Sequence, residues 1–410
     1  MSDAARVEGV APARPRIDSL DLLRGLVMVV MALDHARDFF HPGVPPELIP
    51  DVTAGLFFTR WITHFCAPVF VFLAGTSAYL FSKRGRSKGE LSRFLATRGL
   101  WLIVIEVTVV RFGWMFNLTY DLVILQVIWA IGVSLVALSV LVWLPTSIIA
   151  LFGLAMIASH NLLDATAINQ RLTEAMDLLN WNVLAEPSAL ERLWVLLHVQ
   201  AWMPLGAESG AIIAYPLVPW IGVMATGYAF GVFVRTEPRE RRRHFLRIGF
   251  AATAAFLLLR ALNGYGDPIP WESGGSSTAT LIAFLNTQKY PPSLLFLLMT
   301  LGPAILCLAW FESARGAVAR FFITIGRVPF LYYVLHIYLL HAGSRVYAWV
   351  RFGDEGLAWN MVNDPPPPEY SVGLWSAYVA WAAAVLLLYP VCRWFAGVKQ
   401  RNKSAWLSYL

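Results

Sequence analysis

Apolar residues along this chain come in long blocks, without the two-residue or 3.6-residue alternation that marks a half-buried strand or surface helix. Taken as runs of about 18–25 residues, the length that crosses a hydrocarbon layer, ten blocks follow one another: 19–40, 57–81, 94–113, 121–143, 145–160, 211–233, 246–262, 292–311, 320–341 and 374–395. The fifth is the shortest. Backbone polar groups in lipid must be satisfied within the segment, so such runs are helices. The pattern predicts an all-α, polytopic integral membrane protein of about ten transmembrane helices, with 1–410 forming a single transmembrane domain. No internal repeat is visible, so the inverted-repeat signature of many secondary transporters is not evident.

The polar connections sort by charge. One set holds Arg6, Arg14 and Arg16; Lys83, Arg84, Arg86, Lys88 and Arg93; Arg235, Arg239, Arg241, Arg242, Arg243 and Arg247; Arg315 and Arg320; and Arg393, Lys399, Arg401 and Lys403. The alternate set holds only Arg60, Arg111, Arg171, Arg192, Arg260, Lys289, Arg345 and Arg351. Cytoplasmic loops carry the excess of Lys and Arg, and an even number of crossings alternates the two sets without a misfit. Both termini are therefore expected in the cytoplasm. The polar residues 1–16 form a cytoplasmic N-terminus, and 41–56, 161–210, 263–291 and 342–373 form outer loops. Within them, "ERLWVLLHVQAWMP" reads as an amphipathic helix on the outer surface. Loops of this length more often form a lid or a binding surface than an empty linker.

Composition agrees with that class. Hydrophobic residues make up 58% and charged residues 14% of the chain, and the mean hydropathy is +0.58. Soluble domains run at roughly 45–50% and 25%. The net charge of +6 does not indicate a nucleic-acid partner, because the basic residues lie in short loops and not on one face. Cys66, Cys307 and Cys392 all fall within or at the ends of apolar blocks, which argues against a disulfide framework. No small-residue cleavage site follows the first apolar run, so no cleaved signal peptide is expected. The expected location is a bacterial inner membrane.

One stretch breaks the apolar rule. "IDSLDLLRGLVMVVMALDHARDFFHPG" places Asp21 and Arg24 just before an apolar run and Asp34, His35, Arg37 and Asp38 just after it. Arg24 and His35 are eleven positions apart, about 20° off one helical face and about 16 Å along the axis. Arg37 and Asp38 lie at i+3 and i+4 from Asp34. His64 and His336 reach the same outer depth from the second and ninth blocks, with His41 and His341 at the block ends. Arg24, Arg98 and Arg327 stand towards the cytoplasmic side. Charges in a bilayer are costly unless paired and more often functional than not. Taken singly, Arg111, Arg260, Glu106 and His341 read better as packing or interfacial residues, whereas Asp34, His35, Arg37 and Asp38 read as a functional group.

These residues resemble a known pattern. "SLDLLRGLVMVVMALDH" is similar to the first span of the membrane-bound acyltransferase superfamily, with D-x-x-R-G, an apolar run and a His eleven residues after the Arg. "IGRVPFLYYVLH" is similar to its late span, and "ITHFCAPVFVFLAGTSAYL" and "LQVIWAIGVS" resemble the branch related to heparan-α-glucosaminide N-acetyltransferase. The resemblance implies transfer of an acyl group, usually acetyl from cytosolic acetyl-CoA, to a hydroxyl or amine of a glycan or similar small acceptor on the far side. His35 takes the place of the superfamily's histidine by its spacing from Arg24. His41 stands by rough position where the lysosomal branch carries its histidine, and His64 stands where that branch has Asp. Arginines make permanent, bidentate contacts to phosphate, so Arg24, Arg98 and Arg327 would hold the donor at the cytoplasmic mouth. His35 would act as base or acyl acceptor, oriented by Asp34 or Asp38, with His64 and His336 placed to bind acceptor or oxyanion.

The expected partners are then the lipid bilayer, an acyl-CoA donor and a carbohydrate-like acceptor, with homo-oligomerisation left open. A proton-coupled transporter is the principal alternative, since His and Asp at one depth also serve proton relays. No metal is expected, because no local ligand pair such as H-x-x-x-H is present.

Overall fold

The computed structural model describes residues 17–174, 186–206, 209–359, 366–402 and 404. The N-terminal segment 1–16 with Arg6, Arg14 and Arg16 lies outside the described residues, as do Lys403 and parts of the expected outer loops 161–210 and 342–373.

The chain is mostly helical. Helix α1 (Asp18–Phe40) is followed by α2 (Ala54–Thr63), α3 (Cys66–Ser82), α4 (Lys88–Ile105), a π turn at Glu106–Val110 and α5 (Arg111–Met115). After strand β1 (Leu122–Leu125) come α6 (Val127–Leu141), α7 (Thr146–Ser159), α8 (Ala167–Glu174) and α9 (Ala189–His198). Strands β2 (Ala201–Pro204) and β3 (Gly210–Ile213) precede α10 (Leu217–Val234), α11 (Pro238–Leu262), α12 (Ser277–Leu285) and α13 (Leu294–Phe311). The last helices are α14 (Ala317–Gly326), α15 (Pro329–Phe352), α16 (Asp354–Ala358) and α17 (Leu374–Arg401).

Among the described residues, six segments are long and apolar enough to cross a membrane: Ala54–Ser82, Thr146–Ala165, Leu217–Val234, Pro238–Leu262, Leu294–Phe311 and Leu374–Arg401. The pair α14 and α15, bent by 87°, makes a seventh if counted as one. Pro329 explains the bend: it lacks the amide that would continue α14, and it drives Val328 out of the helical region. The other three expected blocks, 19–40, 94–113 and 121–143, differ for separate reasons. In α1 the charges interrupt the apolar run, α4 carries Lys88, Glu90, Arg93 and Arg98 along its length, and α6 is only 15 residues long. The chain is thus an integral membrane protein dominated by helices.

Three short strands depart from the all-helical expectation. They form a sheet in the order β1-β3-β2, with β1 parallel and β2 antiparallel to β3. The apolar pattern alone places 122–125 and 211–213 at the starts of membrane blocks, and 201–204 at the end of a surface helix. A short apolar run cannot be told from helix by periodicity alone; here Val123, Ile124, Ile212 and Ile213 supply the β-branched preference. The surface helix itself exists as α9, opened by a Ser188/Glu191 capping box.

Helix α1 lies at the centre, against α2, α3, α13, α14, α15 and α17. This position removes its charges from lipid. Backbones meet closely where glycines face each other, the usual way membrane helices pack without a hydrophobic driving force. A Cβ on Gly25 would lie 1.8 Å from the Phe322 carbonyl oxygen, and one on Gly326 would lie 1.8 Å from the Asp21 carbonyl oxygen. Only glycine fits at either position, and the crossing it permits brings the "LRG" of α1 against the "IGR" that ends α14.

Candidate active site

That glycine crossing brings two arginines together at the N-terminal end of α1. Arg24 donates to Asp21 (Nη1–Oδ1 2.9 Å) and to Ser77 Oγ (3.1 Å). Arg327 pairs with Asp18 (3.3 Å) and, at 3.8 Å, with the other Asp21 oxygen. Asp21 thus stands between the two guanidiniums. Both arginines line one cavity of about 1570 Å³, and Arg98 lines it too. All three arginines expected to act together therefore face one space. It exceeds the roughly 300–1,000 Å³ of an ordinary small-molecule site. The cavity also takes in Met28, Met31 and Tyr333 along its length.

Met31 lies one helical turn before His35. The His35 ring meets Tyr333 edge-on at 6.4 Å and Trp114 edge-on at 5.0 Å. Its Nδ1 is 2.7 Å from Nε2 of His336, and the Nδ1 of His336 is 2.8 Å from the Tyr332 carbonyl oxygen. These two bonds fix the protons. A carbonyl only accepts, so His336 Nδ1 carries hydrogen and, in the neutral ring, Nε2 accepts. His35 Nδ1 must then donate, which leaves the lone pair of His35 on Nε2. His35 and His336 are 9% and 0% exposed, so water does not compete strongly for these bonds.

This arrangement corrects the expected role of Asp34. Its carboxylate makes no hydrogen bond to His35; it accepts from Arg60 and pairs with Arg37 at 3.3 Å. Arg37 also holds Asp38 at 2.6 Å, and Arg60 also holds Glu47 at 3.2 Å. The outcome is a buried ion network beside the histidine pair, and the partner that orients His35 is His336. At the edge of this network, burial raises the pKa of Glu47 but the Arg60 guanidinium outweighs it, holding the carboxyl at about 2.

His64 caps α2 and is 1% exposed; it packs on the Phe296 ring at 5.3 Å, and neither ring nitrogen has a partner among the described residues. His41 is not brought to the group. It ends α1 and bonds Ser371 Oγ at 2.5 Å, with burial and Arg37 holding its imidazole below the ordinary pKa.

Other polar residues in the bundle serve the backbone. Arg260 reaches the carbonyls of Phe284, Ile269, Ala283 and Asn286. Arg111 holds Leu122 and Asn117, and Glu106 accepts from the Gln126 amide at the start of α6 (2.8 Å). His341 donates to the Gly113 carbonyl and stacks on Phe116. A second cavity of about 420 Å³ is lined by Trp114, Asp38, Asp121, Arg345, Trp359 and Tyr370, among others. Trp114 therefore touches both His35 and this second space. No cluster of three or more metal-ligating side chains occurs among the described residues.

Sequence reasoning missed Arg60, Trp114 and Tyr333 as site residues. Arg60 carried a signal, since it stands one helical turn before His64. The sequence model of the family heparan-alpha-glucosaminide N-acetyltransferase, catalytic, matches residues 16–262, more than half of the chain. That stretch includes Arg24, Asp34, His35, Arg60, His64 and Arg98, and it stops before Lys289, Arg327 and His336. No curated protein matches the chain.

Proposed function

The chain belongs to the heparan-alpha-glucosaminide N-acetyltransferase catalytic family, which makes it an acyltransferase-type membrane enzyme, and from that premise we propose that it moves an acetyl group from acetyl-CoA to a glycan or other small acceptor across the bilayer. In this reading the chain crosses ten times with both termini in the cytoplasm, in keeping with the distribution of Lys and Arg. The large cavity then opens to the cytoplasm, where acyl-CoA is found. The observation that carries the proposal is the course of that cavity, from Arg24, Arg98 and Arg327 to Met31 and Tyr333 beside His35.

The phosphates of the donor would sit among the arginines, by charge-assisted bonds that exchange with those of Asp18 and Asp21. The pantetheine arm would follow the apolar wall and bring the thioester to His35. The Nε2 lone pair of His35 takes the proton of the acceptor hydroxyl or amine as that atom attacks the thioester carbon. Charge on the imidazolium is shared with His336, which the Tyr332 carbonyl holds in the accepting tautomer. The carbon–sulfur bond then breaks, and the CoA thiolate takes the proton from His35. The acceptor would approach from the cavity on the other side of Trp114, whose rings and carboxylates suit a sugar.

Calorimetric titration of the purified chain with acetyl-CoA tests the reading. Saturable binding is expected, weakened about tenfold or more by Arg24→Ala and Arg327→Ala, with Arg98→Ala weakening it as well. No binding up to millimolar donor would sink the acyltransferase proposal and leave the His and Asp group to a proton-coupled transporter.

A further inference from the structure

Three residues on the walls of the two cavities carry a buried polar atom without a hydrogen-bond partner among the described residues. They are Arg327 (Nε) and Tyr333 (Oη) on the large cavity and Trp114 (Nε1) on the smaller one. The reaction described above gives Arg327 the donor phosphates and uses Trp114 as the partition between the two spaces. It gives no work to the Tyr333 hydroxyl. Tyr333 is 4% exposed, so water does not readily serve as the missing partner. A hydroxyl buried without an acceptor is costly in a resting protein. An acceptor that arrives with the substrate accounts for that cost.

Tyr333 links the large cavity to the histidine pair. It stands near the start of α15, three residues before His336, so the two side chains share one helix face. Its ring meets His336 edge-on at 5.8 Å and His35 edge-on at 6.4 Å, and the same residue lines the cavity. The Tyr332 carbonyl ties this turn to the His336 ring (2.8 Å), so Tyr333 and the histidine pair belong to one rigid unit. Met28, Met31, Leu102, Val127 and Ile128 line the cavity with it, and their side chains have no hydrogen to donate. A fixed donor in such apolar surroundings is the arrangement that best stabilises charge as it develops.

We infer that Tyr333 is a catalytic residue of this enzyme, its hydroxyl donating a hydrogen bond to the thioester carbonyl oxygen as the acceptor attacks beside His35. The inference rests on the acyl-transfer reading. When the acceptor's oxygen or nitrogen bonds to the thioester carbon, the carbonyl π pair moves to oxygen. That negative oxygen accepts from the Tyr333 hydroxyl, which keeps its proton throughout. The pair returns to re-form the carbonyl as the carbon–sulfur bond breaks, and the proton taken by His35 leaves with the thiolate.

The test uses the full chain in detergent with acetyl-CoA as donor and hydroxylamine as a small surrogate acceptor, following thiol release above the uncatalysed rate. Tyr333→Phe removes the hydroxyl and keeps the ring. It is expected to lower kcat about 10²–10³-fold, with KM for acetyl-CoA within about twofold. Its melting temperature stays unchanged or rises, because the lost hydroxyl had no partner. Ser134→Ala is the control: it deletes another buried, unpartnered hydroxyl, on a residue that lines neither cavity, and it keeps native kcat. Native kcat in an active Tyr333→Phe chain overturns the inference. So does a loss confined to KM, or a loss of kcat matched by Ser134→Ala or accompanied by a lowered melting temperature, since the hydroxyl would then serve binding or packing. An inactive native chain would instead overturn the acyl-transfer reading, and this inference with it.

Discussion

The two ends of α1 handle charge in opposite ways. At the N-terminal end, Arg24 and Arg327 hold carboxylates at the rim of a large open cavity, and the Arg327 side chain is 30% exposed. At the C-terminal end, Arg37 and Arg60 hold carboxylates in a closed network and are each 9% exposed. The same residue types therefore do different work. Open pairs can exchange an acid for an arriving phosphate, because water and ligand reach them. Closed pairs cannot exchange without exposing a charge, so they fix the geometry of the segments that carry them.

This contrast can be broken in order of effect. His35→Ala should lower acyl transfer by about 10²–10⁴-fold, the usual worth of a general base, while acetyl-CoA still binds with native affinity. Thiol release and calorimetry on the same preparation check both halves, and a joint loss would mean that the two ends are not separable. Arg60→Met should destabilise the protein by about 3–5 kcal/mol, because it strands Asp34 and Glu47 without their principal cation. Thermal unfolding in detergent measures this; a change below about 1 kcal/mol would show that the network is open to water after all. The smallest effect should come from Glu47→Gln. Glu47 has a folded pKa of about 2 against an ordinary 4.5, so the stability it contributes is complete above about pH 4.5 and is lost as pH falls towards 2. The native chain should lose melting temperature across that window, and the Gln variant should lose less of it. Parallel pH curves for the two proteins would place the acid sensitivity elsewhere.

Much of this was readable from the chain alone, and the limits have physical causes. The apolar blocks predicted where the helices lie because hydrocarbon demands length and a satisfied backbone. The strands escaped because four residues such as 122–125 carry no usable period, and their partners come from far along the sequence. Arg24, Arg98 and Arg327 could be grouped by depth, and they do share a cavity. The bond between His35 and His336 could not be read, since depth brings two residues to one level without saying which face each turns. Asp34 misled for the same reason. Adjacent to His35 in sequence, it points about 100° away around the helix, towards Arg60.

The central place of α1 also bears on how the protein is made. It is the first of these helices to leave the ribosome, yet α14, α15 and α17, three of the helices that cover it, all begin after residue 316. Through most of synthesis, His35 has no His336 and Gly25 has no Gly326 to meet. A lone segment carrying Asp21, Arg24, Asp34, His35, Arg37 and Asp38 is a poor lodger in lipid, so the early helices α2 and α3 must shelter it until the late ones arrive. A chain cut after residue 262 would contain everything the family model matches and would still lack the partners that close around its first helix.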